Sequence, residues 1–181
     1  MVDQEEIERL LQTMSEVWGS EEQANIGLAN QVAELNAIVF DGELPCVNVH
    51  VAPRSMLSGL FGADRNAAAN YNPAYEDHAA YIFVGQSAIM SKDQARIILA
   101  HELVHHWEHT VSTDSDPSTY PNEIEMMIKH WFPDFKSEKK WRATHSNRFL
   151  AKAYLMSAEH GFELSRLLSG YKPAGALHLL T

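Results

Sequence analysis

Two runs of apolar residues with helical spacing occupy residues 1–40 of the chain. In each run the apolar positions recur every three or four residues, and Gly19 and Ser20 separate the runs: Ile7, Leu10, Leu11, Met14 and Val17, then Ile26, Ala29, Val32, Leu35 and Ile38. This spacing places the apolar side chains on one face of a helix. The pattern therefore predicts two N-terminal helices, the second over residues 21–39.

After a turn at residues 41–45, the pattern changes to the alternation of a β-strand. Residues 46–51 place three apolar residues on one face and two polar residues on the other: Val47, Val49 and Val51 against Asn48 and His50. Such alternation predicts a strand with one buried face. We expect His50 to lie on the surface, and we interpret Cys46 as a small core residue rather than a nucleophile.

Further elements follow along the chain. Residues 66–72 and 79–85 predict two more short strands, and residues 92–109, 122–131 and 146–169 predict three helices. The chain is expected to form one domain over residues 1–181 with an α+β fold. In this fold, N-terminal helices precede a small, mostly antiparallel sheet of about three strands, and helices follow it.

The formal net charge of −10 argues against a dedicated nucleic-acid-binding protein, which usually carries a basic surface. One basic cluster occurs, Lys136, Lys139, Lys140 and Arg142, and we interpret it as the solvated face of a loop. We therefore expect no strong nucleic-acid binding. The sequence leaves the oligomeric state open.

Targeting signals and cysteine usage favour a cytoplasmic protein. No apolar run approaches the length of a membrane span, and the acidic N-terminus lacks the basic-then-apolar order of a signal peptide. A single cysteine, Cys46, excludes an internal disulfide and a four-cysteine zinc ribbon. We expect a reducing compartment and no membrane association.

The predicted helix over residues 92–109 carries an H-E-x-x-H motif formed by His101, Glu102 and His105. Ser91 and Gln94 form a capping box at its start. Residues four apart lie one turn apart on the same face, so both imidazoles can reach one cation. Glu102 is placed beside that cation, where a carboxylate can take a proton from a water molecule. The motif predicts a catalytic zinc site.

A catalytic zinc ion usually takes three protein ligands, and two residues compete for the third position. Glu123 follows Asn122, as in the second helix of thermolysin-like enzymes, and His145 precedes the last predicted helix. Acidic residues are ordinary in the first turn of a helix, so Glu123 has a structural explanation. We favour His145. His106 is expected to serve in packing or to support a ligand, and His109 lies two turns from His101.

Three blocks of the sequence resemble the SprT-like (Spartan-type) zinc metalloproteases. Residues 35–45 resemble the family pattern N-x-x-x-F-x-G-x-L-P, residues 101–105 carry its H-E-x-x-H, and residues 145–149 resemble its H-G-x-x-F. The resemblance is strongest over residues 30–159, and residues 1–29 form an N-terminal helical extension. It implies a zincin-like fold, a Zn²⁺ cofactor held by His101, His105 and His145, and Glu102 as the catalytic base.

The sequence also departs from the family pattern. Ser146 replaces the usual glycine after the third histidine. Forty positions separate His105 from His145, which leaves an insertion over residues 111–144. The zinc ribbon of many relatives is missing. A small stand-alone form of this kind would suit a bacterial or phage-encoded protein.

The expected function is that of a zinc-dependent endopeptidase acting on a protein or peptide substrate. Zinc would activate a water molecule, and Glu102 would take its proton and pass it to the leaving amine. The resemblance places the substrate along an edge strand, either residues 81–85 or the strand before it. Two alternatives remain open: a metal-stabilised protein-interaction module without proteolytic activity, and a protease acting on DNA-associated proteins.

Overall fold

The computed structural model describes residues 4–52, 69–76 and 78–169. These residues form an α+β fold with seven α-helices and one three-stranded sheet, which confirms the α+β part of the predicted fold class. The helices are α1 (Gln4–Trp18), α2 (Glu21–Val39), α3 (Lys92–Thr110), α4 (Asn122–Trp131), α5 (Phe135–Arg142), α6 (Asn147–His160) and α7 (Leu164–Ser169). The strands are β1 (Asn48–Ala52), β2 (Ala69–Asn72) and β3 (Tyr81–Gly85).

The sheet is mixed, with the strand order β1-β3-β2. β1 runs parallel to β3, and β2 runs antiparallel to β3. The prediction of a mostly antiparallel sheet was therefore wrong. Consecutive strands often form hairpins, but the stretch between β1 and β3 is long enough for the crossover that a parallel pair needs. Because β3 is the central strand, Tyr81–Gly85 cannot be the edge strand expected to bind a substrate.

The alternation of β1 matches the sequence pattern, whereas Cys46 does not. Val49 and Val51 are buried, and Asn48 and His50 are exposed. Cys46 lies before the strand and is exposed, so its interpretation as a core residue was wrong. The apolar run begins before the chain reaches the sheet, and only the valines that enter the sheet are buried.

Helix α3 is the most deeply buried helix of the fold. Its N-cap is Ser91, whose Oγ accepts a hydrogen bond from the Gln94 N–H at 3.0 Å. It contacts α2, β2, α6 and α7. Its buried residues include His101, Glu102 and His106 in addition to apolar side chains. Surrounding elements thus hold the H-E-x-x-H motif rigidly.

The C-terminal part of the described chain departs from the prediction in two places. The single helix expected over residues 146–169 is interrupted at Gly161, whose φ of 71° lies in the left-handed region that favours glycine. The basic cluster around Lys139 lies on helix α5 rather than on a loop.

None of the helices in the described ranges is both long and apolar enough to span a membrane.

The N-terminal helices meet at a close contact between Trp18 and Gly27. A Cβ atom added to Gly27 would lie 2.3 Å from Cζ3 of Trp18, far inside van der Waals contact. The Trp18 ring is buried, and its Nε1–H donates a hydrogen bond to the Ile89 carbonyl at 2.7 Å. The ring is therefore not free to shift, and it packs against α2 at a position where α2 has no side chain.

We expect Gly27→Ala to lower the free energy of unfolding by about 1–2 kcal/mol. Overpacking typically costs about 1–3 kcal/mol, and the higher helix propensity of alanine offsets up to about 1 kcal/mol. Urea unfolding measures the difference. In a Trp18→Leu background the same substitution should be neutral or stabilising, and an equal cost in both backgrounds would show that the Trp18 contact is not its cause.

Candidate metal centre

Three histidines from two parts of the chain form a compact cluster. His101 and His105 lie one turn apart on α3, and His145 lies in the turn that precedes α6. The ring centroids are separated by 5.1 Å for His101–His105, 5.2 Å for His101–His145 and 5.0 Å for His105–His145. One nitrogen of each ring lies within 4.8 Å of those of the other two, so the cluster could hold a metal ion.

The Nδ1 atoms of these histidines point to acceptors outside the cluster. His101 Nδ1 lies 2.7 Å from the Leu167 carbonyl of α7, and His145 Nδ1 lies 2.8 Å from the Trp141 carbonyl. A carbonyl oxygen only accepts, so each of these Nδ1 atoms carries the proton and donates it. His105 Nδ1 faces the Glu108 carboxylate, with Oε2 at 3.8 Å. The Nε2 lone pairs of His101 and His145 are consequently free for a metal.

The distance between the Nε2 atoms of His101 and His145 is 3.3 Å. With both protons on Nδ1, neither Nε2 can donate to the other, and the two lone pairs face each other. A tetrahedral site with Zn–N bonds of about 2.0–2.1 Å separates its ligand nitrogens by about 3.3–3.4 Å. The two imidazoles thus fit a cation bound between them better than they fit each other.

Burial keeps His101 and His145 in the form that binds metals. Burial lowers the pKa of His101 well below its usual value, and the neighbouring His105 and His145 lower it further. Burial and the neighbouring His105 lower the pKa of His145 to about 4. A lowered pKa keeps both imidazoles neutral at physiological pH, and only the neutral imidazole can ligate a metal.

Phe149 lies at the centre of the packing beneath the cluster. Its ring centroid is 5.0 Å from that of His101, 4.5 Å from that of His105 and 4.8 Å from that of His145. Phe149 is fully buried, so it anchors the start of α6 in the core. Phe149 lies four residues after His145, on the inner face of α6. It therefore packs against His101 and His105 as well as against His145.

Glu102 is a buried carboxyl group beside this cluster. Burial raises its pKa, while the neighbouring His105 and a hydrogen bond from the Tyr71 backbone N–H act to lower it. Tyr71 belongs to β2, an edge strand of the described sheet. Its backbone N–H is directed at Glu102, so β2 borders the site.

His106 connects the same strand to α3 through its side chain. Its Nδ1 lies 3.1 Å from the Tyr71 hydroxyl, and its Nε2 lies 3.0 Å from the Pro45 carbonyl. Nε2–H therefore donates to Pro45, and Nδ1 accepts from the hydroxyl group of Tyr71. With both nitrogens occupied, His106 supports the strand beside Glu102 rather than serving as a metal ligand. This agrees with its expected role in packing.

The other candidate residues lie outside the cluster. Glu123 is exposed in the first turn of α4, and Glu125 is paired with Arg142 at 2.7 Å. His109 is exposed, and its Nδ1 lies 2.8 Å from the His105 carbonyl. Of the two residues considered for the third ligand, the fold brings His145 to the motif, and no metal cluster in the described residues includes Glu123.

Sequence reasoning missed the groups that hold the imidazoles in place. Glu108 could have been found, because it follows His105 by three residues on the same helix face. Glu108 also accepts a hydrogen bond from the Ser146 hydroxyl, so the residue that departs from the family pattern connects α3 to the start of α6. The carbonyls of Trp141 and Leu167 carry no signal in the sequence, since any residue could supply them.

Comparison of the chain with protein-family models, with curated proteins and with solved structures gives no match. The resemblance to SprT-like proteases therefore depends on the motif residues alone. The geometry of the histidine cluster is an independent basis for the functional argument.

Proposed function

We propose that this chain is a zinc-dependent endopeptidase of the SprT-like kind. His101, His105 and His145 would hold the metal through their Nε2 atoms, and Glu102 would be the general base. The proposal depends most on one observation, the 3.3 Å separation of two Nε2 atoms whose rings are both fixed by hydrogen bonds from Nδ1 to backbone carbonyls. When bound, zinc would supply Lewis-acid activation of a water molecule and of the scissile carbonyl.

Glu102 has the properties required of a general base. Its carboxyl group lies next to the histidine cluster, and burial raises its pKa, which strengthens it as a base for the proton of a water molecule. It would take the proton of the attacking water and pass it to the amine of the leaving peptide. A metal site with a purely structural role has no need of this carboxylate, so its burial beside the cluster supports hydrolysis over the interaction-module alternative.

The peptide substrate would lie along β2 rather than along β3. β2 lies at an edge of the sheet that the described residues form, and its Tyr71 N–H is directed at Glu102. An extended peptide can pair with such an edge through its own backbone groups. The proposal therefore takes the strand before Tyr81–Gly85, one of the two that the resemblance offered.

The direct test of the function is zinc-dependent cleavage of a denatured protein. The metal-free chain and the zinc-reconstituted chain are incubated with the same denatured substrate, and fragments are identified by mass spectrometry. The proposal expects fragments only after zinc addition, and their loss when a chelator is added. Absence of cleavage by a chain with verified zinc content would favour the protein-interaction module instead.

Removal of zinc is expected to lower the melting temperature. A metal that binds only the folded chain stabilises it by mass action, by about 2.7 kcal/mol when free zinc is 100 times the dissociation constant. Differential scanning fluorimetry measures the shift after chelation and its recovery on zinc addition. An unchanged melting curve after verified metal removal would contradict a site that joins α3 to the start of α6.

A further inference from the structure

The insertion between the second and third histidines packs against the cluster through Trp141. The indole of Trp141, the seventh residue of α5, stacks on the imidazole of His145 with centroids 4.2 Å apart and an interplanar angle of 9°. The carbonyl of Trp141 accepts the hydrogen bond from His145 Nδ1 at 2.8 Å. The same residue therefore contacts the face of the ring and, together with the Thr144 hydroxyl at 2.9 Å from the same Nδ1 atom, fixes its rotation.

Helix α5 is attached to the fold without any buried residue of its own. It spans eight residues and is strongly polar. A helix this short is marginal unless tertiary contacts support it. The Trp141 indole also contacts Phe132, with centroids 5.7 Å apart, in the turn between α4 and α5. The position of Trp141 thus depends on how α5 is attached to α4.

Arg142 makes that attachment. Its Nη2–H donates to Oε2 of Glu125 on α4 at 2.7 Å, and its Nε–H donates to Oε1 of Glu138 on α5 at 2.8 Å. The Arg142 side chain is 26% exposed, so the ion pairs are partly shielded from solvent. A guanidinium group that bonds two carboxylates through different N–H groups fixes orientation as well as distance.

We propose that the α4–α5 insertion is a positioning element for the metal centre, in which the Arg142–Glu125 ion pair holds α5 so that Trp141 orients His145. The inference rests on the proposed role of His145 as a metal ligand. Trp141 and Arg142 are positioning residues, because they would act on the metal only through His145. The insertion would then preorganise the third ligand, which lies far along the chain from the first two.

The experiment measures zinc affinity by competition with a chromogenic chelator. Trp141→Ala should weaken zinc binding by about 10- to 100-fold, the usual effect of losing a group that orients a ligand. Both variants keep the backbone carbonyl, but Trp141→Phe also keeps an aromatic face, so it should lose less zinc affinity than Trp141→Ala. Arg142→Gln should weaken binding by roughly three- to tenfold.

A matched control separates positioning from general stability. Arg96 pairs with Glu34 at 3.0 Å and is 29% exposed, close to the exposure of Arg142, but it joins α2 to α3. Arg96→Gln should leave zinc affinity unchanged even if it lowers the melting temperature of the metal-free chain. Equal losses of zinc affinity in Arg96→Gln and Arg142→Gln would overturn the inference, as would wild-type affinity in both Trp141→Ala and Arg142→Gln.

Tryptophan fluorescence is a second measurement. A zinc-dependent change in emission is expected if Trp141 contacts a metal ligand, and not if Trp141 has only a structural role. Zinc should change the emission of the wild-type chain, because Trp141 stacks on a ligand, and Trp141→Phe should lose most of that change. An undiminished change in Trp141→Phe would contradict the inference. If the wild-type chain itself binds no zinc, the proposed function fails. If the wild-type chain binds zinc and the Trp141 and Arg142 variants bind it equally well, only the positioning role is removed.

Discussion

Replacing His145 with alanine is expected to weaken zinc binding by more than about 100-fold, whereas Glu123→Ala leaves it unchanged. Loss of a group that only orients a ligand already costs about 10- to 100-fold, so loss of a ligand should cost more. The Nε2 atom of His145 lies 3.3 Å from that of His101, while Glu123 is exposed on α4 outside the cluster. Competition with a chelator of known affinity measures both variants.

His145→Ala and Glu123→Ala serve as controls for one another, since each removes one of the residues considered for the third ligand. Circular dichroism of the metal-free variants shows whether either change unfolds the chain. A large loss of zinc affinity in Glu123→Ala with little loss in His145→Ala would reverse the assignment. It would also place the protein with the thermolysin-like enzymes, in which a glutamate completes the site.

Glu102→Gln is expected to reduce peptide hydrolysis by about 100-fold or more while zinc remains bound. Glutamine has nearly the same shape as glutamate but cannot accept a proton from water, and loss of a general base typically costs about 10²–10⁴-fold. Zinc binding should persist because the ligands are the three imidazoles. Cleavage rates of the zinc-loaded variant and wild type, measured on the same denatured substrate, test this expectation.

Glu123→Gln is the matched control, because it makes the same chemical change at an exposed position. Its cleavage rate should equal that of the wild type. Activity of Glu102→Gln within a few-fold of the wild type would remove Glu102 from the mechanism. Loss of zinc from this variant would instead indicate that Glu102 is a ligand.

The sequence predicted the parts of the site that local periodicity controls. His101 and His105 lie on one face of α3 because residues four apart always do in a helix, and the cap at Ser91 set the start of that helix. The helix over Asn122–Trp131 was likewise confirmed, because its apolar spacing and its flanking residues agree. Where a structural feature depends on one helix alone, the spacing of apolar and polar residues was sufficient to predict it.

Features that depend on contacts between distant elements could not be predicted from the spacing of residues along the chain. The parallel pairing of β1 with β3 depends on the path of the chain between them, and so does the central position of β3. The break at Gly161 separates α7 from α6, and the Leu167 carbonyl of α7 then reaches His101. A single glycine in an otherwise helical pattern did not reveal this turn.

The closeness of His145 to the motif shows the same limit within the site. Its candidacy followed from the family resemblance and from the ordinary explanation available for Glu123, not from any spacing rule. Its stacking on Trp141 depends on α5, a helix that the sequence analysis interpreted as a loop. Helix α5 has no apolar face with helical spacing, so the sequence pattern did not predict it. The ion pairs of Arg142 attach it to the fold instead.

A crystal structure of the zinc-loaded chain, with anomalous diffraction at the zinc edge, tests the central claim most directly. The account predicts one zinc ion per chain with Nε2 of His101, His105 and His145 at about 2.0–2.1 Å and a fourth position open to solvent. A carboxylate in place of His145, or a fourth protein ligand that closes the site, would contradict it. The closed site would identify a structural metal in an interaction module instead of a catalytic centre.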